Sequence, residues 1–283
     1  MVSIASTDTP LDVENRRPNL RKDQFDNMND WLNAKVTDRI ERARESGEEM
    51  SAELAWVAEN DHTIYQNRFK PLVYAVLATI VVGIAWTPSV PALLFTLVAL
   101  YFYIDFYSGV LHVVLDNPAF CNLPIVGVPC VEFQWHHTFA YDISSRKLTD
   151  VWGDLNPLLA MKAGVLFAIL GPTRLALMVA GVGFFWAYVN QFAHRMSHAH
   201  SSTRPKWAQW LQRRHILIPP SVHQVHHKTY DTTFPVLSGL TRQPIEWLLK
   251  LVPNQWVWLT TFLLLTAFDL VLFTMVLETL PLF

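Results

Sequence analysis

Apolar positions in this chain fall in long blocks separated by polar stretches. Residues 71–104 contain no Asp, Glu, Lys or Arg. A helix needs roughly 20 apolar residues to cross a hydrocarbon core about 30 Å thick. The run is broken at Thr87-Pro88-Ser89-Val90-Pro91, so it predicts two spans, 69–86 and 91–116, joined by a tight turn. Residues 157–171 and 172–198 predict a second hairpin, turning at Gly171-Pro172-Thr173, with 175–194 again free of charge. A last apolar run, 251–268 continued by 271–277, predicts a fifth span interrupted by Asp269. A carboxylate at that depth must face protein or water. One such run would also suit a buried hairpin in a soluble protein, but soluble cores rarely sustain runs of this length repeatedly.

The polar stretches complete the organisation. Residues 1–27 hold little to bury and are predicted to be disordered. From 28 to 59 apolar residues recur at helical spacing (Trp31, Leu32, Val36, Ile40, then Leu54 and Val57), which predicts an amphipathic helix or pair of helices ahead of the membrane. The expected fold is all-α and multi-span: four core transmembrane helices, a fifth C-terminal one, and a His-rich cap on the cytoplasmic side. Three regions follow: 1–68 polar, 69–250 the membrane domain with its His-rich segments, and 251–283 the C-terminal transmembrane helix.

Positive charge sets the orientation. Ten Lys/Arg precede or begin the first span and nine lie in the two long polar segments, 117–156 and 201–250. The hairpin turns on the other side hold only Arg174. A cytoplasmic N-terminus is therefore expected, in the endoplasmic reticulum of a eukaryote or the inner membrane of a bacterium. A net charge of −2 gives no reason to expect nucleic-acid binding. The two cysteines, Cys121 and Cys130, are expected to be free thiols. No signal peptide is visible, and the acids of the N-terminus argue against a plastid transit peptide.

Eleven histidines are present and most are clustered. His112 lies at the end of the second span, His136-His137 in the first polar segment, His194 and His198 at the end of the fourth span. His223, His226 and His227 form an H-x-x-H-H cluster in the second polar segment. Residues three and four apart share a helix face. With the topology above, all eight lie at one membrane face although they come from four separate stretches. Each cluster alone is a weak signal; together they predict a metal site. Imidazole suits Zn, Cu, Fe and Ni, and eight ligands exceed what one four-coordinate ion takes. Two ions with about four nitrogens each account for the number, and iron, unlike zinc, activates O₂. Such a pair would oxidise an unactivated C–H bond of a lipid chain reaching it from the bilayer.

Asp116 shares a helix face with His112 and is a candidate to bind metal or to orient that imidazole; Asp105 and His215 are candidate outer-shell partners. His62 is expected at the surface, and His200 off the metal-facing side of its helix.

At these residues the chain resembles the plasmanylethanolamine desaturase family (the Kua or CarF-like lipid desaturases), together with chloroplast relatives that desaturate palmitate on phosphatidylglycerol. The resemblance covers about 105–247: Asp105-Phe106, Ser108-Gly109 and His112, the loop Leu123-Pro124-Ile125-Val126-Gly127, and Phe133-Gln134-Trp135-His136-His137. It continues through 143–146, 194–198, Leu211-Gln212, His215, Pro219, His223-Gln224-Val225-His226-His227 and Ser238-Gly239. It implies iron, O₂, electrons from cytochrome b5 or a ferredoxin, and a phospholipid substrate. The chain departs from the family pattern at Thr138-Phe139-Ala140, at Phe234-Pro235-Val236, in the placing of Asn190-Gln191 and in its apolar C-terminal tail. His112 with Asp116-Asn117 and Phe133-Gln134 resemble the palmitate desaturases; 123–127 and His215 resemble the ether-lipid enzymes. Alternatives are an acyl-phospholipid desaturase, a lipid hydroxylase with the same site and, from another class, a membrane metal transporter.

Overall fold

In the computed structural model of the protein, residues 28–50, 54, 55, 58, 71–138, 140 and 142–280 are described. The expectations for 1–27 and for His62 lie outside them. The chain divides into two units, Asn67–Val114 with Lys147–Phe283, and Met1–Gln66 with Leu115–Arg146. No strand occurs among the described residues.

In order, the helices are α1 (Met28–Ser46), α2 (Leu72–Ala85), α3 (Val90–Leu115), α4 (Gly127–Thr138), α5 (Leu148–Leu170), α6 (Arg174–His198), α7 (Lys206–Arg213), α8 (Pro220–Thr229), α9 (Arg242–Leu251) and α10 (Gln255–Glu278). Among the described residues, α3, α5, α6 and α10 are long and apolar enough to cross a membrane, at 26, 23, 25 and 24 residues. At about 1.5 Å per residue each exceeds the ~30 Å hydrocarbon core. The outward faces of α3 and α10 carry exposed apolar side chains such as Leu94, Val98, Leu264 and Leu272, as lipid requires. The first predicted span is shorter: α2 has 14 residues within what is described.

In the larger unit α6 is the central helix. It packs against α2, α5 and α10, and nearly every residue from Leu175 to Phe184 is buried. Without a hydrophobic driving force between helices in lipid, small residues let backbones approach closely. Gly83 of α2 and Gly181 of α6 do so here: a methyl group on either would meet the backbone of the other helix. Thr173 caps the start of α6, its hydroxyl accepting from the N–H of Ala176 at 3.1 Å. The preceding turn contains Gly171 at φ +69, which a residue with a Cβ would adopt only under strain.

Two features differ from the sequence expectation. The third span begins at Leu148, nine residues before Pro157, and runs through that proline. Proline normally ends or kinks a helix. Here side chains just before it are tied to α6: Trp152 stacks on Tyr188 with ring centroids 4.7 Å apart, and its indole N–H donates to Tyr188 O at 3.0 Å. The Tyr188 hydroxyl donates to Asn156 Oδ1 at 2.8 Å. The apparently polar run 148–156 therefore forms the packed first turns of α5. The second feature is Asp269, which lies within a continuous α10 and faces protein. It pairs with Lys162 of α5 at 2.5 Å and accepts a hydrogen bond from the Tyr103 hydroxyl at 2.8 Å.

In the smaller unit α1 ends at Gly47, at φ +68. Asn117 caps a short 3-10 turn, Pro118–Phe120, by accepting from the N–H of Ala119 at 3.1 Å. Cys121 and Cys130 are buried free thiols with their sulfurs 3.1 Å apart.

Candidate metal centre

Within the larger unit, six histidines converge from three helices. His112 lies one turn before the C-terminal end of α3, and His194 and His198 lie one turn apart at the C-terminal end of α6. α8 supplies the rest. Pro220 occupies its first turn, where the missing N–H costs nothing. The i, i+3, i+4 spacing then places His223, His226 and His227 on one face, and the helix stops at Tyr230 in the left-handed region.

Ring nitrogens of His194, His198, His223 and His227 all lie within 4.8 Å of one another, and so do those of His112 and His226. The two sets adjoin: the His112 ring centroid is 5.7 Å from that of His194, and the His226 centroid is 5.8 Å from that of His223. Nε2 of His198 and Nε2 of His223 are 2.7 Å apart, and Nε2 of His227 lies 3.0 Å from the same His223 atom. His112, His194, His223 and His226 are buried, while His198 and His227 are half-buried.

Two of these rings have their tautomer fixed by a carbonyl. Nδ1 of His112 lies 2.8 Å from Ser108 O, and Nδ1 of His226 lies 2.9 Å from Thr232 O. A carbonyl only accepts, so Nδ1 carries a proton and Nε2 is the nitrogen left to bind a metal. This is the usual way a metal-binding imidazole is oriented. His223 is held neutral: burial pushes its pKa well below the ordinary value, and the neighbouring imidazoles of His198, His194, His227 and His226 push the same way.

The donor set fits a metal. Nitrogens bound to one ion at about 2.1 Å lie roughly 3–4 Å apart, and those of His194, His198, His223 and His227 lie close to that range, from 2.7 Å to within 4.8 Å of one another. Neutral imidazoles with Nε2 directed inward suit a first-row transition ion.

The smaller unit holds its own pair. His136 and His137 sit in the last turn of α4, with ring centroids 5.9 Å apart. Nε2 of His137 donates to Asp116 Oδ1 at 2.8 Å. Asp116 thus orients an imidazole of its own unit, a carboxylate–histidine pairing common around metals.

The remaining candidates are placed as follows. Asp105, fully buried, contacts a loop: Oδ1 accepts from the N–H groups of Ser238 and Gly239 at 2.7 and 3.0 Å, and Oδ2 from the N–H and hydroxyl of Thr241 at 2.9 and 2.8 Å. Nearby, the Ser108 hydroxyl donates to Asp105 O at 2.8 Å and accepts from the N–H of Val236 at 3.2 Å. These bonds hold the start of the His112 turn against the chain that follows α8. His215 is exposed, at φ 55 in the turn after α7. His200 is exposed and bonded to the Ser202 hydroxyl at 2.7 Å. The two orienting carbonyls, of Ser108 and Thr232, are backbone atoms that no residue pattern reveals.

The sequence profile of the lipid desaturase domain matches residues 101–260. The chain belongs to the lipid desaturase family. The match takes in every histidine of the clusters. Among curated proteins, it is 27% identical over 170 residues to plasmanylethanolamine desaturase of Myxococcus xanthus, covering 53% of this chain and 59% of that protein. It is 30% identical over 155 residues to plasmanylethanolamine desaturase 1 of Mus musculus, covering 50% and 56%. It is 29% identical over 147 residues to the chloroplastic fatty acid desaturase 4 of Arabidopsis thaliana, covering 49% and 43%. The chain spans about half the length of the curated relatives it matches. No solved structure matches it significantly.

Proposed function

We propose that this lipid desaturase is an O₂-dependent di-iron enzyme that introduces a double bond into an alkyl or acyl chain of a membrane phospholipid, with plasmanylethanolamine as the favoured substrate. The observation that carries the reading is the convergence of six imidazoles on inward-facing nitrogens, two of them fixed by backbone carbonyls. His136 and His137 join the set on sequence grounds, which gives about four nitrogens for each of two ions. Bound iron would supply the activation of O₂ and the abstraction of hydrogen from an unactivated C–H bond. The chain's own contribution is to hold neutral imidazoles in fixed tautomers, as Ser108 O and Thr232 O do, and to orient His137 through Asp116. The spans α3 and α6 end in the histidines, so a lipid chain in the bilayer lies beside the elements that carry the site. Electrons would come from a cytochrome b5 or a ferredoxin, and the Lys/Arg distribution favours a cytoplasmic site and N-terminus.

A second reading keeps the site and changes the substrate to an acyl chain. It is favoured by the match to the Arabidopsis fatty acid desaturase 4 and by Phe133-Gln134 before the His pair. A metal transporter would need ligands spread along a path across the bilayer, whereas these six are gathered in one cluster. Expression in cells lacking such enzymes, followed by mass spectrometry of their phospholipids, decides between the substrates. New vinyl ethers support the first reading and new monounsaturated acyl chains the second; neither product would remove the assignment.

A further inference from the structure

The peptide group between Thr232 and Thr233 is bonded at both ends. Its carbonyl accepts from Nδ1 of His226 at 2.9 Å, and its N–H donates to Oε1 of Glu246 at 3.1 Å. Glu246 lies on α9, and His226 on α8. One peptide group therefore links a carboxylate on one helix to an imidazole on another. The loop carrying it needs to be held. Thr233 has φ 54 and Tyr230 φ 60, and a β-branched residue in the left-handed region persists only where its surroundings enforce it. Thr233 is buried, so its N–H has no ready substitute in water for the carboxylate it binds. The Thr229 and Thr232 hydroxyls, 3.1 Å apart, brace the same turn.

We propose that Glu246 is a positioning residue of the metal centre, acting on His226 through the Thr232–Thr233 peptide. The inference rests on the metal-binding reading given above. Glu246 fixes the plane of the peptide, and the peptide carbonyl fixes the His226 ring with its proton on Nδ1 and its lone pair on Nε2. The carboxylate also polarises the peptide, since hydrogen bonds in a chain strengthen one another. A more polarised carbonyl draws harder on Nδ1–H and makes Nε2 a better donor to a metal. A purely structural anchor would hold the loop without any dependence on His226, and that difference can be measured.

The test uses the full chain in lipid nanodiscs, with Co(II) as the probe, because its visible absorption reports nitrogen ligation. Binding is measured by chelator competition for the wild type, Glu246→Ala, Glu246→Gln, His226→Ala and the Glu246→Ala/His226→Ala double variant. Loss of an outer-shell partner typically weakens metal binding by about 10–100-fold. Glu246→Ala is expected at the lower end, about tenfold, with an altered Co(II) spectrum. Glu246→Gln keeps an oxygen acceptor and should recover most of the affinity. In the His226→Ala background the Glu246 change should have no further effect on affinity, the signature of two residues acting as one. Should Glu246→Ala not fold, Glu246→Asp, which withdraws the oxygen by one carbon, is expected to weaken binding in the same way. The proposal is overturned if Glu246→Ala lowers only the unfolding temperature of the metal-free protein, with Co(II) affinity and spectrum unchanged. An equal loss of affinity with and without His226 overturns it too. A wild-type protein that binds neither Co(II) nor iron overturns the metal-binding reading itself, and this inference with it.

Discussion

Lys162 and Asp269 meet inside the helical bundle, their side chains 5% and 3% exposed and their charged atoms 2.5 Å apart. The ammonium also lies 4.3 Å above the Tyr107 ring, and the Tyr103 hydroxyl donates to the same carboxylate oxygen. Three spans, α3, α5 and α10, are thereby joined at one point. The helix that sequence reasoning treats as a C-terminal addition is tied to the bundle by charge.

Breaking a buried pair by removing one partner typically costs about 3–5 kcal/mol, whereas replacing both with apolar groups is often neutral. Asp269→Leu and Lys162→Met should each lower the unfolding temperature sharply in nanodiscs, and the double variant should return close to wild type. A double variant as unstable as either single would show that the pair contributes only its packing.

Asp105→Ala removes the acceptor of four hydrogen bonds and leaves the buried N–H of Ser238 and the half-buried N–H groups of Gly239 and Thr241 without it. Charge-assisted bonds contribute roughly 1.5–3 kcal/mol each and are not additive, so a loss of at least about 3 kcal/mol is expected. Asp105→Asn should fall between, since it keeps one oxygen. Hydrogen exchange would show the loop opening first; an unchanged loop would contradict the assignment.

The His223 pKa, pushed down mainly by burial, makes a prediction for the metal-free protein. Its unfolded counterpart takes up a proton near pH 6.5, while the folded form resists until well below. Between those values the unfolded state binds more protons, so stability falls as pH falls, by up to about 1.4 kcal/mol per pH unit for one such group. Unfolding temperatures should be level above pH 7 and decline below about 6.5. A profile that is flat or rises toward acid would contradict the burial.

Alanine at any one of His112, His136, His137, His194, His198, His223, His226 and His227 should abolish desaturation with the bundle still folded, because each removes a nitrogen donor. His200→Ala and His215→Ala should stay near wild type, since both side chains are exposed and lie outside the cluster. Lipid mass spectrometry of complemented cells scores both halves. Substantial activity in two or more of the eight would show that the set is misgrouped.

Much of this was legible in the sequence because two signals were periodic. Long apolar runs marked α3, α6 and α10, with only 175–194 of α6 wholly free of charge over a bilayer's length. Histidines three and four apart marked the faces of α6 and α8. What was not legible depends on partners distant in sequence. Residues 148–156 look polar because Trp152 and Asn156 find their partner only at Tyr188. Asp269 looks misplaced until Lys162 is beside it. The atoms that orient His112 and His226 are carbonyls, and the group behind Thr232 is Glu246, one ordinary acid on an amphipathic helix. Composition and spacing carry no trace of such contacts.

The metal content of the protein purified in lipid without added metal tests the proposed di-iron centre most directly. On the proposed reading eight imidazoles would supply about four nitrogens to each of two ions, so elemental analysis should find close to two irons per chain. Single histidine-to-alanine variants should hold distinctly less. One tightly bound zinc per chain, with iron absent and desaturation intact, would contradict the di-iron account.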